Sequence, residues 1–237
     1  SLPEDTSLAA LVRAKYQIGG KDQEIEKSAG LKVFNRNALT WDKTERAASF
    51  VTLKDTPVKY FARGTVQTFR FQRFAFVPGN VLSALQIFDS MGIYGLKYVA
   101  NPKTPFSVKS KDKHAIDWVQ YPRDVLRFKT GDCSDLSVLY CSLLENIGIS
   151  TAFVTIPGHI FMMFDSGFGI ENRKQVSSVE STIVTYDDRV WVPIEVTMTG
   201  EPFTKAWEAA AAEIEKYKDG PDFGYFPNSR NWREYPP

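Results

Sequence analysis

The chain has 237 residues, enough for one large domain or one domain plus a smaller one. Its 29 basic and 28 acidic residues leave a net charge of +1, which gives no electrostatic reason to expect a nucleic-acid partner. No apolar run approaches the roughly 20 residues that are needed to cross a bilayer, so we expect no membrane span in this chain.

Two extended segments, residues 8–17 and 22–35, flank Gly19-Gly20, and this pattern predicts a β-hairpin. An isolated hairpin is only marginally stable in water. We therefore expect residues 1–40 to be the end of a preceding β-domain of a longer protein. The absence of an initiating Met favours the same interpretation.

The next part of the chain is mainly helical. Residues 37–51 could hold a short helix, 55–69 form a better candidate with a proline in the first turn, and 80–99 predict a buried helix that leads into a short strand. The segment "FRFQRFAFV" mixes Arg with aromatic residues; stacking on a nucleic acid is conceivable, but half-buried packing is the simpler interpretation. We interpret His114 as a solvated residue of a Pro- and Lys-rich loop.

Both cysteines lie in "TGDCSDLSVLYCSLLENIGI", which predicts a helix. Asp132 is a good N-cap residue, Asp135 resembles its capping-box partner, and Gly148 suits the position after the C-cap. Cys133 lies in the first turn on the apolar face, and Cys141 lies in the middle of the helix. Eight residues of helix rise by about 12 Å, so the two cysteines cannot form a disulfide with each other.

The remaining chain predicts an antiparallel sheet. Residues 150–156 and 159–165 are strands separated by Pro157-Gly158, and 181–197 reads as a hairpin with its turn at Asp187-Asp188. A helix over 203–218 follows. We expect residues 221–237 to be a loop-like tail, with 41–220 as the main domain. This order predicts an α+β fold with the cysteine helix packed on an antiparallel sheet.

The position of Cys133 suggests a nucleophile. Helix N-termini lower the pKa of a thiol, so we expect Cys133 to alkylate well below pH 8 and Cys141 to be a packing residue. His159 is either a base or a satisfied core histidine. Glu195 is either its orienting acid or a solvent-facing residue. Together the three supply what cysteine catalysis requires.

The blocks "GDCSDLSVLYCSLLENIGI", "GHIFMMFD" and "WVPIEVT" resemble the bacterial transglutaminase-like domains of the papain-like cysteine protease and transglutaminase superfamily. "WVQYPRDVLRF" and "IFDSMGIYGLKYV" resemble the segments that precede the cysteine helix in that family. The resemblance covers roughly residues 75–200. It implies a transglutaminase-like core in which Cys133 is the nucleophile, His159 the base and Glu195 the orienting acid, where the family usually has Asp.

The resemblance implies a cysteine hydrolase that acts on amide bonds of a peptide or protein substrate. The Cys133 N–H would be one oxyanion donor, and Trp118, Gln120 or Tyr121 could supply the other. Transamidation by the same residues remains open, and so does a non-catalytic module of a larger exported protein. The sequence does not indicate the oligomeric state.

Three further expectations concern the environment of the site. Some relatives bind calcium beside the cysteine, but Ser134 replaces one acid here and Asp132 and Asp135 are explained as caps, so we expect no metal and no other cofactor. Because such domains are common in exported bacterial proteins, we expect an extracytoplasmic location. We also expect the Glu195 carboxylate within about 3.2 Å of the imidazole nitrogen that faces away from Cys133, with Trp191 shielding the pair.

Overall fold

The computed structural model describes residues 4–69, 77–100, 112 and 115–237. The chain divides into two compact units, Ser1–Ala38 and Leu39–Pro237. None of the helices within the described ranges is long and apolar enough to cross a membrane. The predicted packing of residues 70–76 and the predicted loop position of His114 lie outside the described residues.

The first unit is a long hairpin. Strand β1 (Thr6–Ile18) pairs antiparallel with β2 (Lys21–Val33) over its full length. Gly19 and Gly20 form the turn with φ of +57° and +76°. Two-residue turns of this kind need positive φ at both positions, which glycine adopts without steric cost. The hairpin predicted from the sequence is confirmed.

The second unit begins with short elements and two helices. Strand β3 (Ala38–Thr40) pairs with β5 (Ile116–Trp118). Between them, helix α1 (Thr56–Thr68) carries its proline in the first turn, and helix α2 (Gly79–Tyr94) leads into the short strand β4 (Lys97–Tyr98), as predicted. The short helix expected over 37–51 is a 3-10 helix over Thr44–Phe50.

The cysteine helix is the centre of the second unit. Helix α3 (Pro122–Phe128) and strand β6 (Thr130–Gly131) lead directly into helix α4 (Cys133–Asn146). Every residue from 133 to 144 is buried, because α1, α2, α3 and the sheet all pack around this helix. Strand β6 runs parallel to β4 and places Tyr98 opposite Gly131.

The main sheet has five strands in the order β11-β7-β8-β10-β9, all antiparallel. Their bounds are β7 Thr151–Ile156, β8 His159–Gly169, β9 Val184–Tyr186, β10 Arg189–Ile194 and β11 Gly224–Pro227. Asp187 and Asp188 form the β9–β10 turn with φ of +51° and +57°. Both hairpins that the sequence predicted in this region are therefore present.

Helices cover both faces of this sheet. On one face, Leu136 and Leu139 of α4 share a core with Ile160, Met162 and other sheet residues. On the other face, helix α5 (Phe203–Tyr217) packs Ala210 and Ile214 against the sheet. Since neither face is solvated, the central strands read as nearly continuous apolar runs. The α+β class predicted from the sequence agrees with this arrangement.

The C-terminal segment differs from the prediction. Instead of a loop, residues 224–227 form β11, which pairs with β7 at the edge of the sheet, and a short helix α6 (Asn228–Asn231) follows. The Asn228 amide donates to Thr151 Oγ1, and the Trp232 indole donates to the Ala48 carbonyl. A four-residue strand that is bounded by Gly and Pro carries little periodicity of its own, so only the pairing with β7 defines it.

Candidate active site

The start of α4 is fixed by a reciprocal capping box. Asp132 Oδ1 accepts hydrogen bonds from the backbone N–H groups of Ser134 (2.9 Å) and Asp135 (3.1 Å). In return, Asp135 Oδ2 accepts from the Asp132 N–H at 3.2 Å. A Cβ atom at Gly131 would lie 2.7 Å from the Asp135 Cβ, so the close approach requires glycine. The Gly-Asp-Cys motif thus places Cys133 as the first helical residue.

The Cys133 thiol lies against the first residues of β8. The N–H of Ile160, the residue directly after His159, is near enough to the sulfur to lower the pKa of the thiol. The Ser137 hydroxyl, one turn further along α4, donates to the Cys133 carbonyl at 2.6 Å. Only 6% of Cys133 is exposed. The other cysteine, Cys141, is fully buried, as expected for a packing residue.

The expected depression of the thiol pKa is wrong. Burial raises the pKa of Cys133, and the negative charge of Asp132 raises it further, whereas the N–H groups of Ile160 and Ser134 act in the opposite direction. Burial is the main physical reason, and in addition the Asp132 carboxylate occupies the helix N-terminus and satisfies two of its N–H groups. A thiol in this position is neutral at rest and needs a base to lose its proton.

His159 and Glu195 are brought together at one end of the sheet. A two-residue turn, Pro157-Gly158, with φ of +73° at the glycine, places His159 at the start of β8. Glu195 directly follows β10, and its Oε2 lies 2.6 Å from His159 Nε2. The Glu195 side chain is 10% exposed and the His159 side chain 26% exposed. The contact expected from the sequence is therefore present, through Nε2.

The two competing acids have other partners. Asp165 forms a bidentate ion pair with Arg189, in which Nε donates to Oδ2 at 3.0 Å and Nη2 donates to Oδ1 at 3.0 Å. Asp135 accepts from the backbone and side chain of Gln120 at 2.7 and 2.8 Å. Burial and the charge of Asp132 raise the pKa of Asp135 to about 7. Neither carboxylate orients His159.

The predicted role of Trp191 is wrong. Trp191 lies four residues before Glu195, which corresponds to about 13 Å along an extended strand. Its indole N–H donates to the Tyr186 carbonyl at 3.1 Å, and its cross-strand neighbour is Asp165. Glu195 does not continue this strand, since β10 ends at Ile194 and a 3-10 turn begins. Trp191 therefore does not shield the imidazole pair.

The three oxyanion candidates have different hydrogen-bond partners and packing. Gln120 is excluded in this geometry, because its amide donates both hydrogens, to the Thr130 carbonyl and to Asp135, and its backbone N–H also binds Asp135. Tyr121 packs on Phe50 with ring centroids 5.0 Å apart. Trp118 is half-buried, and its backbone N–H donates to Asp117. None of the contacts described for these three residues reaches Cys133.

A residue without a predicted role lies at the site. Burial raises the pKa of the Tyr98 hydroxyl, and the nearby acidic groups Cys133, Asp132 and Glu195 raise it further. The phenol is therefore within electrostatic reach of all three groups and stays a hydrogen-bond donor at neutral pH. Tyr98 is 44% exposed, and the pairing of β4 with β6 places it opposite Gly131. In the sequence, Tyr98 lies in "IFDSMGIYGLKYV", one of the segments that carry the family resemblance.

Within the described ranges, no group of three or more His, Cys, Asp and Glu side chains is arranged to hold a metal ion.

Comparison with known proteins adds little. No family model matches the sequence, and no curated protein matches it. Among solved structures, a chain described as a "putative protease" from Parabacteroides distasonis is 12% identical, with a TM-score of 0.35. The match covers 84% of this chain and 42% of the other, so this chain spans less than half of that protein. A TM-score this low does not establish a shared fold.

Proposed function

We propose that the second unit is a transglutaminase-like cysteine hydrolase that cleaves amide bonds of a peptide or protein. The observations that support this proposal are the contact between His159 and Glu195 and the position of Cys133 beside the residue that follows His159. The Cys133 thiol contacts the backbone of β8 one residue after His159, and His159 binds Glu195 at 2.6 Å. A nucleophile, a base and an orienting acid in this order are the requirements for covalent acyl transfer.

In this mechanism, His159 acts through Nδ1. Glu195 occupies Nε2, and a carboxylate there favours the tautomer that carries its proton on Nε2. Nδ1 is then the unprotonated nitrogen that can accept a proton. Because burial raises the pKa of the Cys133 thiol, the proton moves to His159 as the sulfur attacks, rather than before substrate binds. Glu195 stabilises the resulting imidazolium.

The reaction proceeds in two steps, acylation of Cys133 and hydrolysis of the thioester. The sulfur forms a C–S bond with the substrate carbonyl, and the proton held by His159 passes to the leaving amine as the C–N bond breaks. Water then attacks the thioester, giving a carboxylic acid and restoring the thiol. The Cys133 N–H, which as the first N–H of α4 has no partner within the helix, and the Tyr98 hydroxyl are the candidate donors to the oxyanion.

The test compares substitutions of the two cysteines. Cys133→Ala should abolish cleavage of a fluorogenic peptide library and labelling by iodoacetamide, while far-ultraviolet circular dichroism remains that of the native chain. Cys141→Ala is the matched control from the same helix. It should retain activity in the folded fraction and cost about 1–2 kcal/mol of stability, as expected for a small buried group. Adding a primary amine reports whether an amine replaces water as the acyl acceptor.

A non-catalytic role predicts a different result. If Cys133 only packs, both variants lose stability to a similar extent, and neither native chain nor variant cleaves any member of the library. Cleavage that persists in Cys133→Ala would place the active site elsewhere.

A further inference from the structure

The two oxygens of Glu195 have separate partners. Oε2 faces His159 Nε2, while Oε1 accepts two hydrogen bonds from Thr197, one from its backbone N–H at 3.1 Å and one from its hydroxyl at 2.5 Å. Glu195 is the N-cap residue of the 3-10 turn Val196–Met198, so its side chain folds back over the turn that follows it. Thr197 thus holds the Glu195 carboxylate on the side opposite the His159 imidazole.

The two hydrogen bonds from Thr197 restrict the position of the Glu195 carboxylate. A Glu side chain has one more rotatable bond than Asp, so its carboxylate has more positions that do not reach His159. Two donors on Oε1 restrict that freedom and leave Oε2 aimed at Nε2. The hydrogen bond from the Thr197 hydroxyl has the larger effect, because it is short and charge-assisted. The Thr197 backbone N–H alone cannot fix the rotation of the carboxylate plane.

We infer that Thr197 is a positioning residue, which acts on the base His159 only through Glu195. This inference rests on the proposed function for its catalytic consequence, although the geometry of the Thr197–Glu195–His159 chain is independent of the reaction. The hydrogen-bonded series runs from the Thr197 hydroxyl through the Glu195 carboxylate to the His159 imidazole. Loss of the hydroxyl should loosen the imidazole without removing any group that touches the substrate.

The structure offers a matched control two residues further on. Thr199 Oγ1 is buried and has no hydrogen-bond partner among the residues that the structure describes. Thr197→Val and Thr199→Val are the same chemical change in the same turn, but only the first removes a bond to Glu195. Thr197→Ser keeps the hydroxyl, so this conservative variant should behave like the native protein.

The primary readout is the side-chain ¹⁵N–¹H spectrum of histidine. The chain has two histidines, and His114→Gln assigns the signal of His159. Thr197→Val should move the Nε2–H proton of His159 upfield, because its bond to Glu195 weakens, while Thr197→Ser and Thr199→Val keep the native shift. We expect kcat/KM to fall by about 10- to 100-fold in Thr197→Val, as for other residues that orient a ligand or base, with KM changed less than kcat.

The outcomes separate the two proposals. An unchanged His159 signal in Thr197→Val, or a rate within threefold of that of Thr199→Val in an active enzyme, overturns the positioning role. If the native chain cleaves nothing, the proposed function fails, and the histidine spectrum alone still decides whether Thr197 holds the Glu195–His159 pair. If Thr197→Val does not fold, Thr197→Ala removes the same hydroxyl and replaces it in both measurements.

Discussion

Replacing Glu195 by Gln tests the orientation of the base most directly. The glutamine amide can keep its carbonyl oxygen where Oε1 lies, so both bonds from Thr197 are retained. Its NH₂ group would then face His159 Nε2, which lies 2.6 Å from the present oxygen. Two donors cannot face each other at that distance, so the imidazole must accept there and carry its proton on Nδ1. In that tautomer Nδ1 cannot take the proton of Cys133.

The expected loss of rate follows from these bonds. A hydrogen bond to a charged group contributes about 1.5–3 kcal/mol, and about 1.4 kcal/mol corresponds to a tenfold change in rate. Loss of this bond alone therefore lowers kcat/KM by about 10- to 150-fold. Locking the imidazole in the wrong tautomer lowers kcat by about 10⁴-fold in the serine protease triad. We expect a result between about 10² and 10⁴, with a change in stability below about 1 kcal/mol because the neutral amide avoids burying a charge.

Steady-state cleavage of a fluorogenic peptide, with urea denaturation as the measure of stability, checks this prediction. Asp165→Asn is the control, since Asp165 lies on the same strand as His159 but pairs with Arg189. It should lose stability and keep kcat/KM. The reasoning would be refuted by a Glu195→Gln enzyme that retains kcat/KM within threefold while folding normally, since another group must then orient His159.

Three further predictions concern Tyr98, Asp132 and Glu145. Tyr98→Phe should lower kcat/KM by about 10²-fold, the usual effect of losing an oxyanion donor, and leave the rate of Cys133 labelling by iodoacetamide unchanged; an equal fall in labelling would contradict a role confined to the oxyanion. Asp132→Asn keeps an acceptor for the capping bonds but removes the charge that raises the pKa of Cys133, so the labelling rate should rise at a lower pH, and an unshifted pH profile would show that this charge is irrelevant. Burial raises the pKa of Glu145 from 4.5 to about 7, so the folded state binds an extra proton between these values and stability declines as pH rises through that window. Asp135, whose pKa is also raised to about 7, contributes to the same decline, so Glu145→Gln should reduce the decline in urea denaturation at pH 5 to 8 without removing it. Glu208→Gln, an exposed change on α5, should retain the native decline; a decline as steep as the native one in Glu145→Gln would assign it to other groups.

Much of the fold could be predicted from local patterns. The hairpins required only adjacent residues, because Gly19-Gly20 and Asp187-Asp188 favour the positive φ of two-residue turns. The beginning of α4 was equally local, since Asp132, Asp135 and the apolar periodicity after Cys133 all act within a few residues. The order of these elements then indicated an α+β fold. The chemical requirements of cysteine catalysis and the resemblance to transglutaminase-like domains pointed to Cys133, His159 and Glu195 as one group.

Tertiary structure decided what depends on residues distant in the chain. The strand at Gly224–Pro227 exists because it pairs with β7, and the approach of Tyr98 to the site depends on its pairing with Gly131. The pKa of Cys133 depends on burial by the whole unit and on the side chain of Asp132, which outweigh the helix terminus that the sequence displays. Gln120 likewise has the chemistry of an oxyanion donor, but the fold commits both of its amide hydrogens elsewhere. Sequence indicates which groups are available, while burial and hydrogen-bond partners, which only the folded chain defines, determine which of them are free to react.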